Sequence, residues 1–320
     1  MTAVVVVGTG LALGGAPTGA DLLSGTRVDQ VSFEPAGVLG RKGLRYKDRA
    51  THLGLSAAML ALRDAGLADE AGAKAQDGDG IAVIVGSNFG NLDTVAKIMD
   101  SLVEDSGSGG LSPMDTPNAS SNEVAAAVAI RLGLRGPNLT LCNGAATGID
   151  ALSWGRRLLT SGRATQVLVV GVEPDNEVAR RMTGGLPLVD GAAAVVLELP
   201  DSAADRGVPE RARLERVVRA TGIEDCLRRL GIDGAASAPQ EWFGPEHHVE
   251  PAAPSVLPGL LRHDLSQRWG LASAALGVLQ CVAAISRFEA GADGPIAAVA
   301  GTDADDASSG VLITRPVERA

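Results

Sequence analysis

The sequence predicts an α/β protein built from two related βα halves, and three observations carry that reading. Short, continuous apolar runs alternate with segments of helical periodicity along the chain, the pattern of strands crossed by helices. The length of 320 residues is roughly two domains at about 150 residues each. Hydrophobic residues make up 45% of the chain, yet only four Phe, three Trp and one Tyr contribute, so Ala, Val and Leu fill an interior in which helices pack close to a sheet. Composition also excludes several classes of function. The 28 Lys and Arg against 38 Asp and Glu leave a net charge of −10, which argues against a nucleic-acid partner. Cys142, Cys226 and Cys281 are odd in number and widely separated, so neither a disulfide framework nor a zinc set is expected. His247 and His248, beside Glu246 and Glu250, sit among Pro and Ala and read as a solvated loop, so no metal is expected. No apolar run approaches the roughly 20 residues that cross a bilayer, and no basic or signal-type stretch precedes residues 4–7, so a soluble cytoplasmic protein is expected.

The elements follow in order. The Val run at residues 4–7 reads as a strand buried on both faces, closed by a tight turn at Gly8-Thr9-Gly10. Asp48 is placed to cap a helix with Leu53, Leu55, Ala58, Leu60 and Leu62 at helical spacing, which Gly66 stops. Residues 81–85 form the second strand. Residues 91–103 form a helix with Ile98, Met99 and Leu102 on one side. Two prolines between residues 111 and 121 make an extended loop before an Ala-rich helix at 123–132. The third strand is 139–142, and Asn143-Gly144 turns sharply into a helix that reaches about Leu159. Residues 167–170 are the fourth strand. Such alternation predicts a mainly parallel sheet with right-handed crossovers. A second cycle runs through strands at 192–199 and 214–220, a long Ala-rich helix at 272–288, and strands at 296–300 and 311–314. Residues 201–210 and 235–258 are loops, and the halves divide as 1–190 and 191–320.

Gly8-Thr9-Gly10 after a strand invites a dinucleotide-binding reading, because glycines let backbone approach a pyrophosphate. Gly14 and Gly15 open no clear helix and no ribose-binding acid follows, so a plain turn is the reading and no cofactor is expected. The informative segment is Gly136-Pro137-Asn138-Leu139-Thr140-Leu141-Cys142-Asn143-Gly144-Ala145-Ala146-Thr147-Gly148. Strand, tight turn and helix N-terminus can hold a nucleophile in a strained elbow while the helix dipole lowers a thiol pKa. Here the sequence resembles the β-ketoacyl synthases of the thiolase superfamily, whose turn carries the acyl-bearing Cys ahead of an Ala-Thr-Gly-like or Ala-Ala-Gly-like stretch. The resemblance extends to the opening strand, to Asp64-Ala65-Gly66-Leu67, to Gly133-Leu134-Arg135-Gly136-Pro137 and to Gly191-Ala192-Ala193-Ala194-Val195. It implies a thiolase-like fold with α-β-α-β-α layers.

Registering Ala146-Thr147-Gly148 on the family motif places Ala145 at the nucleophile. The family's Lys-x-x-x-Gly-His segment resembles Ser266-Gln267-Arg268-Trp269-Gly270-Leu271, so Ser266 stands for the lysine and Leu271 for a histidine. The second histidine is missing from residues 232–243. The family's chain length factors, the non-catalytic β subunits of type II polyketide synthases, share this pattern of loss. Ala145 and the shortened second half lean toward the highly reducing systems. The competing reading takes Cys142 as nucleophile of a condensing enzyme or malonyl decarboxylase. Its place inside a strand favours a small buried Cys.

The resemblance implies a heterodimer with a catalytic ketosynthase α subunit through an edge strand of Asn138, Leu139, Thr140, Leu141 and Cys142. It also implies an acyl carrier protein, which is acidic and could be drawn by Arg41, Lys42, Arg45 and Lys47. Gly90, Thr94 and Ile98 are candidate gates of the acyl tunnel, with Met114 closing it from another side.

Overall fold

The computed structural model describes residues 3–24, 31–41, 44–69, 75, 77–104, 111–114, 116–232, 239, 241–246, 260–302 and 307–317. Its strands are β1 (Val4–Leu13), β2 (Ile81–Gly86), β3 (Asn138–Leu141), β4 (Gln166–Glu173), β5 (Gly191–Glu198), β6 (Ala212–Ala220), β7 (Glu241–Phe243), β8 (Leu261–His263), β9 (Ile296–Thr302) and β10 (Ala307–Thr314). The helices are α1 (Asp21–Ser24), α2 (Ala36–Leu39), α3 (Arg49–Asp64), α4 (Leu92–Glu104), α5 (Glu123–Leu132), α6 (Thr147–Thr160), α7 (Glu177–Met182), α8 (Pro200–Asp205), α9 (Ile223–Leu230), α10 (Ser266–Trp269) and α11 (Leu276–Glu289).

All ten strands join one sheet in the order β3-β2-β4-β5-β1-β6-β10-β9-β7-β8. The sequence of pairings in β3-β2-β4-β5-β1 is repeated by β8-β7-β9-β10-β6, and the two units meet where β1 runs antiparallel to β6, with Val4 opposite Leu214. This repeat puts the join between Glu198 and Ala212. The strand at Gly191–Glu198 therefore closes the first unit, where the sequence reading had it open the second half. The sheet is also mixed, not mainly parallel. β2 runs parallel to β3 and β4, and β7 parallel to β8 and β9. The β4–β5, β5–β1, β6–β10 and β10–β9 pairs are antiparallel. The link from Thr302 to Ala307 is too short for the dozen or more residues of a parallel crossover, so β10 turns straight back on β9.

Helices α3 and α5 cover the outer face of the first unit, α6 and α11 lie together between the units, and α9 covers the outer face of the second. These are the five layers of a thiolase-like fold. Asp48 caps α3, accepting from Thr51 N at 2.7 Å. The long helix expected at 272–288 is broken at its start, with a 3₁₀ turn at Ser273–Ala275 before α11.

Gly8-Thr9-Gly10 lies inside β1, not in a turn after it. A Cβ at Gly8 would fall 2.6 Å from Ala61 O and Ala65 N, and one at Gly10 would fall 2.1 Å from Ala57 O. The glycines are thus spent on bringing β1 against the backbone of α3, which fills the space a nucleotide would need. Gly10→Ala should cost about 1–3 kcal/mol or more through overpacking, seen as a lower urea midpoint. Gly37→Ala, which meets nothing within 4 Å, should leave the midpoint unchanged or slightly raised.

Candidate functional site

The site grows from the edge of the first unit. β3 pairs with β2 and forms one end of the sheet, and the chain then passes Cys142 and Asn143 into a 3₁₀ turn at Gly144–Ala146. Gly144 has φ +75, a conformation that lets the chain reverse into α6 without a Cβ penalty. Thr147 Oγ1 closes the elbow, donating to Gly144 O at 2.6 Å and accepting from Asn143 N at 3.0 Å. Asp150 anchors the first turn of α6 through Asn143, Arg219 and Ser309. Ala145 sits half-buried in this turn with only a methyl group.

A second turn faces it. The Ser273–Ala275 turn packs on Gly144–Ala146, and Ser273 adopts φ +46, a strained backbone for a residue with a Cβ. The Asn88 amide ties the two turns, donating to Gly144 O at 3.0 Å and to Ser273 Oγ at 2.7 Å. Two buried carboxylates hold the rest. Glu173, at the end of β4, accepts from Asn88 N at 2.9 Å, Phe89 N at 3.0 Å and Ala274 N at 3.1 Å. Glu246 accepts from Ala272 N at 2.5 Å and Ser273 N at 3.0 Å. Burial pushes each carboxyl up to about 7, against the pull of these backbone hydrogen bonds in the other direction. Glu246 is therefore not part of a solvated loop, as its neighbours suggested. His247, His248 and Glu250 lie outside the described residues.

The residues picked from the sequence are placed as follows. Leu271 precedes the second turn by two residues and is fixed by backbone bonds to Pro187 O and from Val189 N. Ser266 begins α10 and binds Asp264 Oδ1 through both its N–H and its hydroxyl. Cys142 lies one residue beyond β3 and is exposed, which corrects the expectation of a buried strand residue. Its thiol pKa is raised, first by desolvation and then by Glu173, the opposite of an activated thiol. Cys226 and Cys281 are buried and pushed up to about 12. His52 is held by Leu44 O at 2.9 Å, and His263 by Glu241 at 2.6 Å while stacking on Phe243.

The four gate candidates do not share one cavity. Thr94 and Ile98 line a cavity of about 300 Å³ together with Arg45 and Lys47. Gly90, which precedes α4, lines a smaller one of about 60 Å³ with Thr140 and Cys142. A Cβ on Gly90 would meet Ser87 Oγ at 2.7 Å and Ala50 Cβ at 3.6 Å, so the position does not leave free space at the head of the helix. Met114 is 57% exposed. Arg41 is exposed, Lys47 is paired with Glu123, and Arg45 lies over the Tyr46 ring at 5.3 Å. Lys42 lies outside the described residues. On β3, Asn138 Nδ2 donates to Ala125 O at 3.0 Å, and Leu139, Thr140 and Leu141 are half-exposed. Among the described residues no group of three possible ligands could hold a metal, and no helix is long and apolar enough to cross a membrane.

Asn88, Glu173 and Ser273 escaped the sequence reading. An acid ending the otherwise apolar run of β4 was the available signal for Glu173, since a charge at the end of a fully buried strand requires partners. With both carboxyls titrating near 7, against about 4.3 when unfolded, the folded state binds their protons more tightly. The stability they contribute is present below the unfolded value and is lost as pH rises through about 7. The advantage of wild type over Glu173→Gln or Glu246→Gln in urea unfolding should therefore shrink between pH 5 and pH 8. A constant or widening gap would contradict this.

Residues 29–182 match the family model of the β-ketoacyl synthase N-terminal domain. The 3-oxoacyl-[acyl-carrier-protein] synthase 2 of Vibrio harveyi is 30% identical over 143 residues, 44% of this chain and 33% of that protein. Its counterpart from Coxiella burnetii is 29% identical over 142 residues, again 33% of the relative. The matched segment thus spans about a third of these relatives. Among solved structures, the ishigamide ketosynthase/chain length factor superposes with TM-score 0.81 at 23% identity, covering 99% of this chain and 100% of that one. A type II polyketide synthase acyl-carrier protein in complex with its ketosynthase, AntDE:AntF, gives TM-score 0.81 at 15% identity, covering 98% and 99%. A β-ketoacyl synthase from Burkholderia phymatum gives 0.79 at 15%, covering 99% and 100%. Residues 29–182 thus resemble the β-ketoacyl synthase N-terminal domain, and the chain has the thiolase-like fold of the solved ketosynthases.

Proposed function

We propose that the chain is a non-catalytic chain length factor that pairs with a catalytic ketosynthase α subunit and limits the length of its product. One observation carries the reading: the elbow at the start of α6 holds only the methyl group of Ala145, the residue that the motif resemblance registers on the family's nucleophile. Leu271 occupies the position of a histidine that would stabilise the enolate, so neither covalent attachment nor decarboxylation has its usual group. The solved ketosynthase/chain length factor of the same fold supports such a pairing. The half-exposed end strand β3 offers a surface for it, since an uncovered apolar edge is an aggregation liability. The acyl carrier protein is the second partner, with Arg41 and Arg45 as the cationic groups drawing it, in a soluble cytoplasmic complex of the highly reducing type.

Exposure of the Cys142 thiol favours a second reading, an independent condensing enzyme or malonyl decarboxylase. Its raised pKa works against that role. Reconstitution with the partner ketosynthase separates the two. Cys142→Ala should leave product yield unchanged, whereas loss of product together with normal assembly would favour the enzyme.

The ruler works by sterics, at roughly 1–3 kcal/mol per methylene. Thr94→Phe should shorten the dominant product without stopping the first condensation, read by mass spectrometry of the released chains. Unchanged lengths from a normally assembled complex would remove Thr94 as a gate. Gly90→Phe should instead reduce soluble complex, because its side chain starts against Ser87 and Ala50.

A further inference from the structure

Trp242 and Trp269 are buried, whereas Trp154 on α6 is 41% exposed. The Arg157 guanidinium lies over its ring at 5.0 Å. Among the described residues, neither Arg157 nor its neighbours Arg156 and Arg163 has a carboxylate partner, although the chain as a whole is acidic. A helix C-terminus favours cations, which accounts for arginines there but not for an indole left in water.

Helical spacing shows where this flank points. Gly148 faces α11, since a Cβ there would lie 2.8 Å from Gly277 N. At about 100° per residue, Asp150, Trp154 and Arg157 fall on the opposite side of α6. Helix α11 packs towards β4 and β5, and α6 towards β2 and β4, so the side of α6 away from α11 is the side of the β3 edge. Strands β3 and β4 both run parallel to β2, so α6 returns along β3 and brings Trp154 about 10 Å from the helix start. Leu139 and Leu141 of β3 pack into the core that α6 shares, which sets the flank beneath that edge.

An antiparallel pairing of two β3 edges has its two-fold axis perpendicular to the sheet, so the α6 layers of the two chains meet beside the axis. In a pair of identical chains the unneutralised arginines would approach one another, a like-charge contact that opposes self-pairing.

Resting on the chain length factor reading, we propose that the outer flank of α6 anchors the ketosynthase and rejects a second copy of this chain. Trp154 seats against an apolar surface of the partner, and Arg156 and Arg157 meet carboxylates on it. Trp and Arg are the residue types that dominate binding energy at interfaces.

Sedimentation velocity of the full chain with the ketosynthase α subunit tests this. Trp154→Ala should weaken pairing about thirtyfold or more, the range of an interface hot spot. The double substitution Arg156→Glu, Arg157→Glu should weaken it at least about tenfold at low salt and less at high salt, because screening reduces the charge contact. The wild-type chain alone should stay monomeric at concentrations that saturate the ketosynthase. An unchanged melting temperature separates each loss of pairing from unfolding. Normal pairing of either variant, or wild-type self-association as tight as pairing with the ketosynthase, would overturn the proposal. Normal pairing of the variants leaves the chain length factor reading standing, whereas failure of the wild-type chain to pair at all is the failure of that reading and of this proposal with it.

Discussion

The contact on which the rest of this molecule depends is the backbone approach between the starts of its two central helices. A Cβ on Gly148 would lie 2.8 Å from Ala274 O and Gly277 N, and one on Gly277 would lie 2.5 Å from Ile149 N. Gly171 of β4 adds a third close point, 2.8 Å from Ala275 Cα. Only bare backbone fits there, so the starts of α6 and α11 meet main chain to main chain, while side chains further along both helices share one core. The turns that begin them, at Gly144–Ala146 and Ser273–Ala275, are brought face to face as a consequence. An interior poor in aromatics is the compositional counterpart of that closeness.

The geometry of the two facing turns is set largely by polar contacts made by other residues. Among the described residues, the side-chain hydrogen bonds that hold the two turns together come from Asn88, Glu173 and Glu246 and not from Ala145 or Leu271. The turns are held by Asn88 across the gap and by Glu173 and Glu246 from beneath, all through main-chain or short polar contacts. Burying two carboxylates is expensive, and the arrangement is tolerable because five backbone N–H groups converge on them. The strained Ser273 backbone is a further cost that the same network supports.

Much of the fold was legible in the chain because its signals are local. The Asp48 cap, the Ala-rich helix at Glu123–Leu132 and the buried runs of β2 and β4 each announce themselves within a few residues. What depended on distant partners was not legible. Gly8 and Gly10 look like a turn until α3 is seen pressed against them. Glu246 looks solvated among prolines and histidines until the N–H groups of Ala272 and Ser273 reach it from 26 and 27 residues away. The antiparallel β1–β6 junction was not legible for the same reason, because it joins residues more than two hundred positions apart, whereas the short link between Thr302 and Ala307 was a local sign of the β9–β10 reversal. Thr94 and Ile98, chosen by helical spacing, line one cavity. Gly90 falls outside that spacing, since α4 begins only at Leu92.

The claim that this chain assists condensation without performing it comes down to where the acyl group is carried. Intact-mass spectrometry of the complex with its ketosynthase, taken during turnover with acyl carrier protein, reads this directly. The account predicts acyl adducts on the ketosynthase and none on this chain. An acyl adduct on this chain that maps to Cys142 would contradict it.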